Sequence, residues 1–277
     1  VQSRSARGRR ASEGDARRSP GRGAIDTRHL SGPGFGSRGK TAGPEPLQPP
    51  LPPRHAATRR FLSRCFRPGE LVLQELDLAR FGDGQELKAL KTADDLDDYT
   101  YRVAGCVGEF WTHLTRAHCF ANAEIDEQSF VQNSIRFGKG LQLVNILRDL
   151  PHDLASGRCY LPAVDLAVAG LQPQDLRDPG NWPKLKPIFM PWLNKASDHL
   201  AAGWHYTLQI PHEHYRLRLA CSWPILMGSR TLNLVRDANP LRSKSRFKIS
   251  RGIVRSIIWS TLWRVPFKGP WRRTFGE

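Results

Sequence analysis

Residues 140–162 read GLQLVNILRDLPHDLASGRCYLP, and their polar side chains are spaced for chemistry. Gln142, Asn145, Asp149 and Asp153 fall at i, i+3, i+7 and i+11, a line that drifts slowly along one helix face. Leu141, Leu143, Val144, Ile146, Leu147 and Leu150 make the rest of that helix apolar. A helix apolar nearly all round is buried, so the pattern predicts a polar line facing an internal cavity. Two carboxylates one turn apart, with amide oxygens above them, suit a hard divalent cation that prefers oxygen and keeps some water. Such an ion in an apolar cavity would hold a diphosphate. Arg148 reads as a guanidinium for phosphate charge or as half of a surface salt bridge. Tyr160 either reaches the same pocket or packs at the helix exit. The carrying helix is predicted over residues 126–150, with a kink at Pro151, whose ring clashes with the carbonyl four residues back.

The elements that must position this line are helical. Leu71, Val72, Leu73, Leu76, Leu78 and Phe81 predict a first helix, ended by Gly82, Asp83 and Gly84. Leu96, Tyr99, Val103, Val107, Phe110 and Leu114 recur at three- and four-residue steps, predicting a second helix over residues 93–118. Gly105 and Gly108 inside it cost about 1 kcal/mol each relative to alanine, which makes sense if another backbone or a substrate chain passes close. Further helices are predicted at 163–169, 187–209 and 216–237, the last containing Pro224. No strand-like alternation and no internal repeat is present. An all-α bundle with inward-facing polar clusters follows. His199, His205, His212 and His214 match no strong metal spacing and read as ordinary polar or packed histidines.

Two runs carry a family resemblance. Asn145, Arg148 and Asp149, then Asp153, then Gly157, Arg158, Tyr160, Leu161 and Pro162 resemble the second aspartate-rich motif of the squalene/phytoene synthase family and its flanks. Residues 99–108, YTYRVAGCVG, resemble that family's Y-x-x-x-V-A-G-x-V-G signature. The runs stand in the family's order, and the resemblance covers residues 69–265. It implies an isoprenoid-synthase-like helical bundle with Mg2+ on Asp149 and Asp153. It also implies prenyl diphosphates bound by Gln142, Asn145 and Arg148, and catalytic roles for Tyr99, Arg148 and Tyr160. A phenol at Tyr99 can donate to a departing diphosphate or face a carbocation with its ring. Residues 248–251 resemble a basic segment of the family, which implies an NADPH contact at Lys248 and Arg251. The implied reaction is head-to-head condensation: farnesyl diphosphate to presqualene diphosphate or squalene in the first instance, geranylgeranyl diphosphate to phytoene in the second.

The family also carries a first aspartate-rich motif on an earlier helix, and residues 1–68 contain no DxxxD. The bundle is therefore expected to be incomplete on its N-terminal side, through truncation or a mis-called start. The alternative is an inactive helical remnant that binds prenyl diphosphates or a partner protein. Residues 94–98, DDLDD, imitate the DDxxD of prenyl-diphosphate enzymes. They fall in a first helical turn behind a Thr92 cap, where acids favour the dipole, and are read as structural.

Composition sets the boundaries. The chain has 277 residues and a formal charge of +16. Residues 1–68 hold 15 Lys and Arg against four acids, among Gly and Pro that cannot bury enough surface to offset ordering entropy. They are expected to be a disordered basic tail before a helical domain at 69–277. With the excess charge on a tail, no nucleic-acid partner is expected. The tail's GFGSRGKT at 34–41 satisfies a phosphate-loop pattern but lacks the strand and helix that make one work. Five scattered cysteines show no CxxC and read as reduced and cytoplasmic. No run of 18 apolar residues exists, so no transmembrane helix is expected. The C-terminal stretch, with Lys244, Arg246, Lys248, Arg251 and Arg255 before Trp259, Trp263 and Trp271, either lies peripherally on an anionic inner membrane face or packs as a last helix with a basic solvated side.

Overall fold

A long helix, α4 (Glu127–Ala155), forms the axis on which the other elements pack. The computed structural model describes residues 72–82, 86–242, 247–265, 267 and 274–275, all within one unit, Pro50–Glu277. The expected disordered tail, its phosphate-loop pattern, Lys244, Arg246 and Trp271 lie outside the described residues. In chain order the helices are α1 (Val72–Phe81), α2 (Ala93–Thr100), α3 (Cys106–His118), α4, α5 (Ala163–Val168), α6 (Trp182–Gln209), α7 (Tyr215–Arg236) and α8 (Arg251–Arg264). Short 3-10 turns join the later ones. The expected all-α fold is what the chain adopts. One main core, containing Leu143, Leu147, Leu150, Leu193 and Leu200, lies between α4, α6 and their neighbours.

Three local features depart from the sequence expectation. First, α4 does not end before Pro151 but runs over it to Ala155. Packing of Leu150 and Leu154, both buried, outweighs the one lost hydrogen bond, and Asp149 and Asp153 therefore share a helix. Second, the predicted single helix over 93–118 is interrupted by a π-helical segment, Tyr101–Gly105, between α2 and α3. Third, a two-residue parallel strand pair exists: β1 (Lys88–Ala89) pairs Lys88 with Arg158 and Ala89 with Cys159 of β2 (Arg158–Cys159). It was not legible because two residues carry no periodicity.

The glycines explain how the helices approach. A Cβ on Gly108 would overlap the Ser134 carbonyl oxygen, and one on Gly138 would overlap the Ala104 carbonyl oxygen. These two crossings set α3 and its π segment antiparallel to α4, backbone against backbone. The expected close passage at Gly108 is confirmed. Acidic residues 94–98 are structural, as read. Thr92 caps α2 in a reciprocal box with Asp95, Asp97 pairs with Lys139 and Lys195, and Asp98 pairs with Arg80 and Arg102.

Candidate active site

Asp149 is buried near the C-terminal end of α4, with Asp153 half-buried one turn on. Arg148 grips Asp149 through two bonds, Nε to Oδ1 at 2.8 Å and Nη2 to Oδ2 at 2.7 Å. That pairing holds the guanidinium more firmly protonated, Asp153 adding to the field. The surface salt bridge considered for Arg148 is thus a half-buried one with its neighbour. The polar line does not face a closed cavity throughout. Gln142 is half-buried and Asn145 is exposed, so the line descends from solvent at Asn145 to the buried Asp149.

After α4 the chain must turn sharply to return Arg158 and Tyr160 to the same end. Gly157 does this in the left-handed region, φ 78°, where a side chain would be strained. The Gly157 carbonyl accepts from Lys88 N, and Leu90 N donates to the Cys159 carbonyl, which fixes the strand bearing Arg158. Cys159 is buried, its thiol pushed up to about 12 by desolvation, so it is a packing residue rather than a nucleophile.

Tyr99 and Tyr160 meet here. Both are buried, their ring centroids are 5.0 Å apart, and their hydroxyls are 3.3 Å apart. Phe81 meets Tyr160 edge-on at 5.0 Å, and the Arg80 guanidinium lies 5.9 Å from the Tyr99 ring centre. Burial, with Tyr160 and Asp77 adding to it, raises the Tyr99 phenol; burial raises Tyr160 likewise. Both stay protonated and can act only as neutral donors or acceptors.

Asp77 on α1 joins the cluster and was given no role in the sequence. It accepts from the Tyr99 hydroxyl at 2.9 Å through one oxygen and pairs with Arg158 Nη1 at 2.7 Å through the other. The only sequence signal was its position as a lone acid between Leu76 and Leu78. Arg158 was noted as a motif residue without a role, and here it bridges α1 to β2. The field of Asp153 is felt at Arg148, Arg158 and Tyr160, which places it in the same group. Lys248 and Arg251 are exposed at the start of α8.

Along α3 and the first half of α4 lies an apolar cleft of about 360 Å³, lined among others by Val103, Val107, Trp111, Phe137, Leu141 and Tyr206. It begins one helical turn beyond Tyr99 and one residue before Gln142.

Among the described residues no three His, Cys, Asp or Glu side chains converge as a metal cage. Two carboxylates one turn apart do fit Mg2+, which is commonly held by one or two carboxylates and completed by phosphate oxygens and water.

The squalene/phytoene synthase family model matches residues 27–252. The chain is 34% identical over 121 residues to a bifunctional lycopene cyclase/phytoene synthase of Colletotrichum graminicola, covering 43% of this chain and 21% of that protein. It is 25% identical over 213 residues to a 15-cis-phytoene synthase of Paracoccus sp., covering 76% of this chain and 62% of the relative. The chain thus spans about a fifth of the first relative's length and under two thirds of the second's. A solved dehydrosqualene synthase in complex with ligand superposes with a TM-score of 0.52 at 22% identity, over 77% of this chain and 78% of that one, a likeness of fold. With the motif runs at 99–108 and 145–162 meeting at one end of the bundle, and the family match spanning well over half its length, the chain belongs to the squalene/phytoene synthase family.

Proposed function

We propose that this protein condenses two prenyl diphosphates head-to-head, with farnesyl diphosphate as the first candidate substrate and geranylgeranyl diphosphate as the second. The observation that carries the reading is the convergence of Asp77, Tyr99, Arg148, Asp149, Asp153, Arg158 and Tyr160 in one polar cluster. The apolar cleft, whose Val103 lies one helical turn beyond Tyr99, is the candidate seat of the hydrocarbon chain.

Asp149 and Asp153 would hold Mg2+, which when bound supplies Lewis acidity toward a diphosphate oxygen. Arg148, paired with Asp149, and Arg158, paired with Asp77, both feel the field of Asp153 and would turn to diphosphate oxygens as substrate charge arrives. Asn145, exposed at the lip, meets the headgroup first. As the allylic C–O bond breaks, its electron pair leaves on diphosphate. Tyr99, kept protonated and held by Asp77, presents its ring face to the developing cation. The second substrate's double bond then attacks that carbon, and loss of one proton closes a cyclopropane. The second diphosphate would then leave from the cyclopropyl intermediate; the rearranged cation would take a hydride from NADPH to give squalene, for which Lys248 and Arg251 are the candidate contacts, or lose a proton to give a phytoene-type product.

The pairing of Asp149 with Arg148, and the lack of a three-residue acidic cage among the described residues, favour a second reading: binding of prenyl diphosphate without turnover. Diphosphate release from farnesyl or geranylgeranyl diphosphate in the presence of Mg2+ separates the two. Release by the wild type that Asp149→Asn abolishes supports catalysis. Saturable substrate binding with no release supports the second reading.

A further inference from the structure

Helix α8 is fastened to the body along one side and bare on the other. Ile257 and Thr261 are buried. Thr261 Oγ1 accepts from Trp223 Nε1 of α7 at 3.0 Å, the Val265 carbonyl lies 2.9 Å from His212 Nε2, and Ser250 caps the helix start. Opposite this seam, Arg251, Arg255, Trp259 and Trp263 follow at four-residue spacing, continued past the helix end by Phe267, and every one is exposed. Side chains at i and i+4 stack into one ridge. Trp259 and Trp263 are 72% and 81% exposed, with Leu262 at 42% beside them.

The ridge therefore has a cationic half and an aromatic half. Its surroundings reinforce the sign: residues 238–276 contain ten Lys and Arg and no Asp or Glu. A second copy of the chain would bring like charge against like charge across a two-fold contact. A nucleic acid would use the arginines but leave Leu262 and Phe267 without a partner. Indole rings flanked by arginines match the boundary between lipid headgroups and acyl chains, where the ring is buried and its N–H remains hydrated.

We propose that the α8 ridge seats the protein on an anionic bilayer surface, Trp259 and Trp263 entering the headgroup region and Arg251 and Arg255 meeting lipid phosphates. The contact is peripheral: among the described residues no helix is long and apolar enough to cross a membrane.

The test is flotation of the full chain with phosphatidylcholine vesicles, with and without phosphatidylglycerol. Residues 1–68 carry 15 Lys and Arg, so charge alone could recruit the protein, and the decisive variant must leave charge unchanged. Trp259→Ser/Trp263→Ser is expected to lower partitioning onto anionic vesicles roughly ten-fold or more, given the apolar area it removes. Val168→Ser, at an exposed apolar residue of α5, is the control and should bind as wild type. Arg251→Gln/Arg255→Gln, which deletes no apolar group, should reduce the preference for phosphatidylglycerol and the sensitivity of binding to salt. Circular dichroism melting checks that each variant is folded. Equal flotation of wild type and the folded Trp variant would overturn the proposal. So would a wild type that fails to float but forms a dimer, by light scattering, that the Trp variant loses.

Discussion

Asp77 illustrates how much of the site rests on single contacts made across the chain. It accepts from Tyr99, 22 residues away, and from Arg158, 81 residues away, so no spacing rule in the sequence could find it. Asp77→Asn should leave one of these two partners poorly matched in a largely buried setting. Losing such a partner costs about 1–3 kcal/mol, which predicts a fall in kcat of roughly ten- to a hundred-fold with a small change in KM, measured by steady-state kinetics. Asp149 and Asp153 were legible because helical spacing and the surrounding run pointed to the same face. That Arg148 would close on its own neighbour Asp149 was not, since rotamers are chosen by tertiary context. His199 offers a separate residue-scale prediction. It is buried, its Nε2 has no hydrogen-bond partner among the described residues, and desolvation, followed by the charges of Arg136, Lys139 and Lys195, lowers it to about 4. In the unfolded chain it titrates near 6.5. Between those values the unfolded state binds the proton, so stability should fall as pH drops from about 6.5 to about 4, by at most roughly 3 kcal/mol. Urea unfolding across that range should show this slope, and His199→Gln should flatten it.

At the scale of elements, the antiparallel contact of α3 and its π segment with α4 depends on two glycines. Gly138→Ala must push Ala104 away, and Gly108→Ala must push Ser134 away. In both cases backbone is in the way, so neither can yield as a flexible side chain would. Each substitution should destabilise the fold by about 1–3 kcal/mol, the usual cost of overpacking, read as a lower urea midpoint. The sequence pointed to such an approach because glycine inside a helix is costly unless something passes close. It did not reveal the π segment, whose extra residue turns the following helix: Val107 of the predicted stripe is exposed, while Cys106, Thr112 and Thr115 are buried. Nor did it reveal that α4 crosses Pro151, because a local rule against interior proline was outweighed by the burial of Leu150 and Leu154. The continuity matters for the site: it keeps Asp153 one turn from Asp149 instead of beyond a break.

For the whole molecule, the bundle and the order of its motifs were readable from hydrophobic period and two sequence runs, because helical contacts are mainly local. What emerged only in three dimensions was the convergence of α1, α2, α4 and β2 on one polar end. Head-to-head condensation at that end of the bundle is read out by a product assay. The full chain would be given farnesyl or geranylgeranyl diphosphate with Mg2+, with and without NADPH, and extracted products identified by mass spectrometry. A C30 or C40 product is expected, intact as a hydrocarbon or recovered as its cyclopropyl diphosphate precursor, and it should disappear in Asp149→Asn. Folded protein that binds either substrate yet yields no coupled product would contradict head-to-head condensation.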